Sequence, residues 1–275
     1  MSGRDFDDDA LGSAVADIMR RAARLAILPR YRALQAHDVM EKSASDFVTV
    51  ADRESEVLLA EALARLAPEA AIVGEEAAHA NPALLAGLGE ALCWIIDPLD
   101  GTNNFASGKP PFGIIVALAE HGETIAGWIY DPLTDRCCHA RRGGGAFVNG
   151  ERVHSVGSRQ AKPVVAMALE LLDPQQTATM RDLLDRDFSI VGSPRCAAEQ
   201  YPRVALGQND IAFFNRTFAW DHAAGVLFLN EAGGKAARYD GSAYRVNDDK
   251  VGLLAASTPK LWDHMIELMK TLRGA

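Results

Sequence analysis

Trp94-Ile95-Ile96-Asp97-Pro98-Leu99-Asp100-Gly101-Thr102-Asn103-Asn104-Phe105 is the stretch on which the reading of this chain turns. A buried apolar run of strand length delivers Asp97 at its C-terminal end. Pro98 fixes φ, which predicts a turn where Asp97, the Leu99 carbonyl and Asp100 converge. Two carboxylates and a carbonyl form a hard, all-oxygen donor set, suited to Mg²⁺ and poor for Zn²⁺. Gly101 lets the backbone approach a ligand, and the Gly101 and Thr102 N–H groups would face an anion such as phosphate. The same letters also read as a plain turn between strands, because Asp, Pro and Gly are turn residues. Two further acidic sites shift the balance. Val73-Gly74-Glu75-Glu76 follows a short apolar strand, and Trp220-Asp221-His222 opens a helix after a strand and loop. Each has a structural reading, Glu75 as an exposed acid and Asp221 as an N-cap. Three acidic sites at strand ends predict one shared cleft, in which the carboxylates repel one another unless cations neutralise them.

Outward from that stretch, Leu11, Val15, Ile18, Met19, Ala22, Leu25 and Ala26 recur at helical spacing within residues 10–36, predicting a long helix that ends or kinks near Leu28-Pro29. The polar segment Lys42–Asp52 leads into a second helix, Asp52–Leu66, with Val57, Leu58, Ala62 and Leu66 on its apolar face. The period then shortens. Ala71–Val73, Cys93–Ile96, Gly113–Glu120, Thr124–Tyr130 and Asp135–Ala140 predict a mostly antiparallel sheet covered by the two helices, with His121-Gly122-Glu123 as a hairpin turn and residues 141–150 as loop and turn. Beyond about Gln160, strands (Pro163–Leu169, Phe188–Val191, Ile211–Phe214, Val251–Ser257) alternate with helices (Cys196–Leu206, Trp220–Ala232, Pro259–Leu272). The expected architecture is an α+β lobe over residues 1–158 and an α/β lobe over 159–275.

The 275 residues carry 28 Lys+Arg and 37 Asp+Glu, a net charge of −9. That balance, with no basic stripe, argues against nucleic acid and against an anionic membrane. No apolar run approaches the ~18 residues of a membrane span. Met1–Ala10 is acidic where a secretion signal would be basic and then apolar. Four cysteines that include the adjacent pair Cys137-Cys138 make a poor disulfide framework, so the chain reads as cytoplasmic with reduced thiols. Cys137-Cys138-His139 has the wrong spacing for a zinc site. Gly143-Gly144-Gly145 lacks the Lys-Ser/Thr of a nucleotide loop and reads as a hairpin. His222, next to Asp221 on a helix, points elsewhere and reads as a packing residue.

Gly-Glu75-Glu, the Asp97–Thr102 run with Asn104-Phe105 after it, Trp220-Asp221 with Glu231-Ala-Gly-Gly234, and Lys42…Asp46-Phe-Val-Thr49…Asp52 together resemble the inositol monophosphatase family of Mg²⁺-dependent, Li⁺-sensitive phosphatases. The resemblance covers nearly the whole chain and implies the layered αβαβα sugar-phosphatase fold, a homodimer, and two or three Mg²⁺ per active site. It implies that Glu75, Asp97 and the Leu99 carbonyl hold the first Mg²⁺. Asp97, Asp100 and Asp221 would hold the second, and Glu75 would reach a third through waters. Gly101 and Thr102 amides would hold the phosphate, while Thr102 and Asp52 would position and deprotonate a metal-bound water that attacks phosphorus in line. Asp52 also reads as the N-cap of the second helix. Such chemistry needs no Ser or Cys nucleophile.

The alcohol half departs from the family pattern. Its acid seven residues before the Trp-Asp aspartate is here Phe214, so Asn215 or Arg216 replaces that contact or the substrate differs; Ala197 is the backbone contact on the other side. The expected substrate is a small phosphate monoester, inositol 1-phosphate first, with histidinol phosphate, fructose 1,6-bisphosphate and phosphoadenosine phosphate as alternatives. A non-catalytic regulatory protein on the same fold is the rival of another class, and it would have lost its metal ligands.

Overall fold

A computed structural model describes residues 8–43, 46–169 and 172–273. The elements run α1 (Asp8–Ala22), β1 (Val39–Ser43), β2 (Asp46–Thr49), α2 (Val50–Leu66), β3 (Ala71–Gly74), α3 (Glu75–Ala80), β4 (Cys93–Asp100), α4 (Thr102–Ala106), β5 (Gly113–Glu120), β6 (Glu123–Asp131), β7 (Arg136–Arg141), β8 (Gly145–Val148) and β9 (Glu151–Val153). They continue as β10 (Val164–Met167), α5 (Pro174–Leu184), β11 (Ser189–Gly192), α6 (Ala197–Ala205), β12 (Ile211–Phe214), α7 (Ala219–Glu231), β13 (Lys235–Arg238), β14 (Leu253–Ala256) and α8 (Pro259–Arg273).

Strands β3 to β9 form one seven-stranded sheet in chain order, with β3 and β4 parallel and every later pair antiparallel. A five-stranded sheet has the order β11-β10-β12-β14-β13 and mixes parallel with antiparallel pairs. Side-chain alternation shows how these layers stack. Trp94 and Ile96 of β4, with Ile114, Val116 and Leu118 of β5, pack into a core with Val15, Met19, Leu59 and Leu63 from α1 and α2. Cys93 and Ile95, with Ile115, Ala117 and Ala119, face the opposite way onto α6 and α7. The outer face of the five-stranded sheet packs on α5 and α8 through Val165, Ile211, Leu254, Leu184, Trp262 and Met265. The order of layers is helices, sheet, helices, sheet, helices, which is the αβαβα fold. A sheet buried on both faces needs apolar side chains on both, and this is why β4 and β5 read as unbroken apolar runs rather than alternating ones. Helix α7 is the central layer, and ten of its thirteen residues are buried.

Several sequence expectations are corrected here. The first helix does not run on regularly to residue 36: α1 passes into a π-helical turn at Ala23–Ile27 and a 3-10 turn at Leu28–Arg30 that carries Pro29. Part of the polar Lys42–Asp52 segment forms the hairpin β1–β2; Ala44 and Ser45 within it lie outside the described residues. Residues 141–150 include a strand, β8, followed by a tight Asn149-Gly150 turn with positive φ at both residues. Helix α5 and strand β13 are not among the expected elements, although Asp173-Pro174-Gln175-Gln176 is a full capping box with proline at the first turn. The inner face of α2 also differs. Val57 is 56% exposed, whereas Asp52, Ser55, Glu56, Leu59 and Leu63 are buried. The polar trio lies on the same i, i+3, i+4 stripe as the two core leucines.

Candidate active site

Pro98 does not end its strand in a turn. β4 continues to Asp100 with an irregularity: Asp97 pairs with Ile115 and Asp100 with Gly113, so three steps on β4 match two on β5. That extra residue is a β-bulge, at the position where proline has no N–H to give the ladder. In a regular strand Asp97 and Asp100, three apart, would point to opposite faces. The bulge resets the alternation and lets both carboxylates turn to one side. Asp221, on the first turn of α7, completes the set, and one ligand oxygen from each of Asp97, Asp100 and Asp221 lies within 4.8 Å of the others. Glu75, at the start of α3, and the Leu99 backbone line the same cleft, which has a volume of about 330 Å³.

The three acidic segments belong to separate parts of the chain, and one face of α2 holds two of them and the loop between. Glu56 accepts the Glu76 and Ala77 N–H groups at 2.8 Å each and so anchors the first turn of α3 behind Glu75. A Cβ on Gly74 would stand 2.4 Å from the Glu56 carboxylate, so glycine is required where the two segments meet. Ser55 Oγ donates to the Pro98 carbonyl at 3.0 Å and holds the bulge. Asp52 accepts the Thr49 N–H at 2.8 Å and the Thr49 hydroxyl at 2.6 Å, closing the capping box of α2 whose N-cap is Thr49. Asp52 is thus not the N-cap. Its other oxygen faces the Thr102 hydroxyl at 3.0 Å, and Thr102 also lies 2.9 Å from the Leu99 carbonyl. One hydroxyl proton serves these two acceptors.

Gly101 takes φ +82° as the N-cap of α4, a conformation that suits glycine, and a Cβ there would also strike the Pro111 carbonyl at 2.9 Å. Asp100 accepts the Ala198 N–H at 2.5 Å, which ties β4 to the first turn of α6 beside Ala197. Asp97 accepts the Leu99 N–H at 3.0 Å. Burial, then the like charges of Glu75, Asp100 and Asp221, push the Asp97 carboxyl well above the usual carboxylate range. Burial raises Asp100 too, against the hydrogen bond from Ala198. Asp52 is pushed up to about 6 by burial, opposed by its bonds from Thr49. A set of buried carboxylates that resists ionisation is destabilising by itself and fits a cation charge placed among it.

On the other wall, Phe214 stacks on Tyr201 with ring centroids 4.9 Å apart, while Asn215 and Arg216 are exposed at the rim. His222 is buried between the Tyr201 hydroxyl, 2.8 Å from Nδ1, and the Arg216 carbonyl, 3.0 Å from Nε2. The carbonyl can only accept, so Nε2 carries the proton and Nδ1 accepts from Tyr201. Burial lowers His222 to about 3, which keeps it neutral and in its expected packing role. Buried Arg238 ion-pairs with Asp248 and donates to the Thr217 hydroxyl at 2.7 Å, fixing the loop that precedes α7. All four cysteines are free and buried. The structure therefore brings Asp52, Glu75, Asp97, Leu99, Asp100, Gly101, Thr102, Ala197, Asn215, Arg216 and Asp221 into or against one cleft. Sequence reading missed Ser55, Glu56 and Arg238. For the first two a signal existed, polar residues at core spacing beside Leu59 and Leu63; for Arg238 there was none.

No helix among the described residues is long and apolar enough to cross a membrane. Comparison with known proteins agrees with the layered fold and with the cleft. The family model described as inositol monophosphatase family matches residues 11–273. The chain is 34% identical over 227 residues to the Nus factor SuhB of Pasteurella multocida, covering 80% of this chain and 81% of the relative. It is 36% identical over 210 residues to an inositol-1-monophosphatase of Rhizobium meliloti, covering 73% and 75%. Among solved structures, the extragenic suppressor protein suhB of Bartonella henselae superposes with a TM-score of 0.79 at 28% identity over 95% of this chain and 98% of that one. By sequence profile and by fold, this chain belongs to the inositol monophosphatase family, a family of phosphomonoester hydrolases.

Proposed function

We infer that this enzyme hydrolyses a small phosphate monoester with Mg²⁺ as cofactor, and that inositol 1-phosphate is the first substrate to test. The observation that carries the reading is the convergence of the Asp97, Asp100 and Asp221 carboxylates at the bulge in β4 and the first turn of α7. The donors are all oxygen, the preference of a hard cation. In this reading Glu75, Asp97 and the Leu99 carbonyl hold one Mg²⁺, and Asp97, Asp100 and Asp221 hold another. When bound, the ions supply Lewis-acid activation of water and charge neutralisation at the phosphoryl and leaving oxygens. The residues of the chain do the rest. Backbone N–H groups of Gly101 and Thr102 hold the phosphate, and Asp52 accepts a proton through the Thr102 hydroxyl that it faces. Ala197, Asn215 and Arg216 line the side on which the alcohol sits. The same reading makes the enzyme a cytoplasmic homodimer that is inhibited by Li⁺ at millimolar levels.

The test is phosphate release from inositol 1-phosphate, fructose 1,6-bisphosphate, histidinol phosphate and phosphoadenosine phosphate, each with and without Mg²⁺ and Li⁺. Asp97→Asn and Asp221→Asn are each expected to lower turnover by about a thousandfold or more. Near-normal turnover of either variant in saturating Mg²⁺ would overturn the metal assignment. Relatives named Nus factor favour an additional binding role for members of this family. The complete set of oxygen donors places catalysis first.

A further inference from the structure

The cleft holds one buried polar side chain that the catalytic scheme does not use. Gln200, on α6, is 2% exposed and lines the cleft, and neither its amide nitrogen nor its amide oxygen meets a hydrogen-bond partner among the described residues. Its polar neighbours are engaged elsewhere. The Tyr201 hydroxyl is spent on His222, His222 on the Arg216 carbonyl, and Asp100 on the Ala198 N–H. A buried primary amide left unmet is costly, because its desolvation is complete and nothing returns the lost hydrogen bonds. A ligand that offers a matched donor and acceptor would return them.

We propose that Gln200 is a specificity-determining residue that reads a pair of neighbouring hydroxyls on the leaving alcohol, a neutral ring polyol lying against Phe214. This rests on the phosphatase reading above and deepens it. An amide presents one acceptor and a pair of donors side by side, and a vicinal diol can answer with the complementary pair. Phe214 occupies the position of the family's acid and turns an apolar ring into the same wall, held in place by its stack on Tyr201. Together they form a neutral hydrogen-bonding edge and an apolar face, which matches the edge and C–H face of a polyhydroxylated ring. Arg216, by contrast, is exposed at the rim with its guanidinium 5.7 Å from the Phe218 ring centroid, a less enclosed position from which to select a second anionic group.

The test compares kcat and KM for inositol 1-phosphate, for cyclohexyl phosphate, which has the ring without the other hydroxyls, and for fructose 1,6-bisphosphate, all with Mg²⁺. The wild type is expected to prefer inositol 1-phosphate to cyclohexyl phosphate. Gln200→Met, close in shape, is expected to cut that preference about tenfold, chiefly through KM. Should Gln200→Met melt far below the wild type, Gln200→Glu, which keeps two acceptors and loses the donors, must still reduce the preference. If the wild type hydrolyses both ring esters equally well, or the preference survives both substitutions within twofold, the role of Gln200 is overturned while the phosphatase reading stands. The same holds if Arg216→Ala rather than Gln200→Met moves the selectivity, with fructose 1,6-bisphosphate the preferred substrate. If the wild type releases phosphate from none of the three, the phosphatase reading itself fails.

Discussion

Two acids on α2 carry the site without being metal ligands in the proposed scheme. Glu56 accepts both the Glu76 and the Ala77 N–H groups, so Glu56→Ala leaves two backbone donors at a partly buried helix start in need of acceptors. The expected cost is about 1–3 kcal/mol, read by denaturant unfolding. Apparent Mg²⁺ affinity should fall as well, read by titrating activity with Mg²⁺, because Glu75 is the first residue of the same short helix. Asp52 sets the acid limb of catalysis. Burial holds its pKa at about 6, so below that pH the carboxyl is protonated in the native state and cannot accept a proton from Thr102. A fall in kcat/KM on acidification through about 6 is expected. Thr49→Ala removes a hydrogen bond that favours the ionised form, and so should move that limb to higher pH. It also removes the N-cap of α2, at a cost of about 1 kcal/mol.

At the scale of elements, β4 carries the chemistry because it is irregular where its neighbours are regular. The bulge at Pro98 and Leu99 needs the rigid, doubly buried sheet around it, and the same burial leaves a mark on the thiols of that sheet. Burial pushes Cys93 and Cys138 up to about 12 and Cys137 up to about 11, from an ordinary 9.0. Below pH 9 these thiols are neutral in both folded and unfolded chains and do not affect stability. Above it the unfolded chain ionises first, so native stability falls as the pH rises from 9 towards 11 and 12. The slope approaches about 1.4 kcal/mol per pH unit for each thiol. Denaturant unfolding at pH 8 and pH 10.5 should show this loss, and Cys137→Ala should reduce it. In the native protein at pH 8 the same thiols should resist a thiol reagent that labels them readily once unfolded.

For the molecule as a whole, the acids at the cleft set function against stability. Asp97 is buried among like charges, so the metal-free protein is destabilised where a cation would relieve it. Mg²⁺ should therefore raise the melting temperature. At a hundredfold excess over its dissociation constant the gain is about 2.7 kcal/mol for one site. Asp97→Asn should melt above the metal-free wild type, because a buried negative charge has gone, and should lose most of the Mg²⁺-dependent gain. A variant no more stable than the wild type without metal would show that the carboxylate repulsion is relieved by some other means. Differential scanning calorimetry with and without Mg²⁺ separates the two outcomes.

Much of this was legible in the order of residues. Asp97-Pro-Leu-Asp-Gly-Thr, Gly-Glu75-Glu and Trp220-Asp221 name their chemistry locally, because oxygen donors, proline and glycine act through their own backbone and side chains. The apolar runs of β4 and β5 likewise declare buried strands. What tertiary structure decided was which face of α2 turns inward, and that cannot be read from apolar spacing alone: the inner stripe mixes Asp52, Ser55 and Glu56 with Leu59 and Leu63, since those polar groups are satisfied only by backbone and side-chain partners brought from elsewhere in the fold. Tertiary structure also turned Pro98 from a chain reversal into a bulge, because β5 continues to pair beyond it. It left Gln200 buried against the cleft rather than on an outer face of α6, through the packing of α6 on α7. Local chemistry is written in the sequence; which groups meet, and which are left without a partner, depends on contacts between residues far apart along the chain.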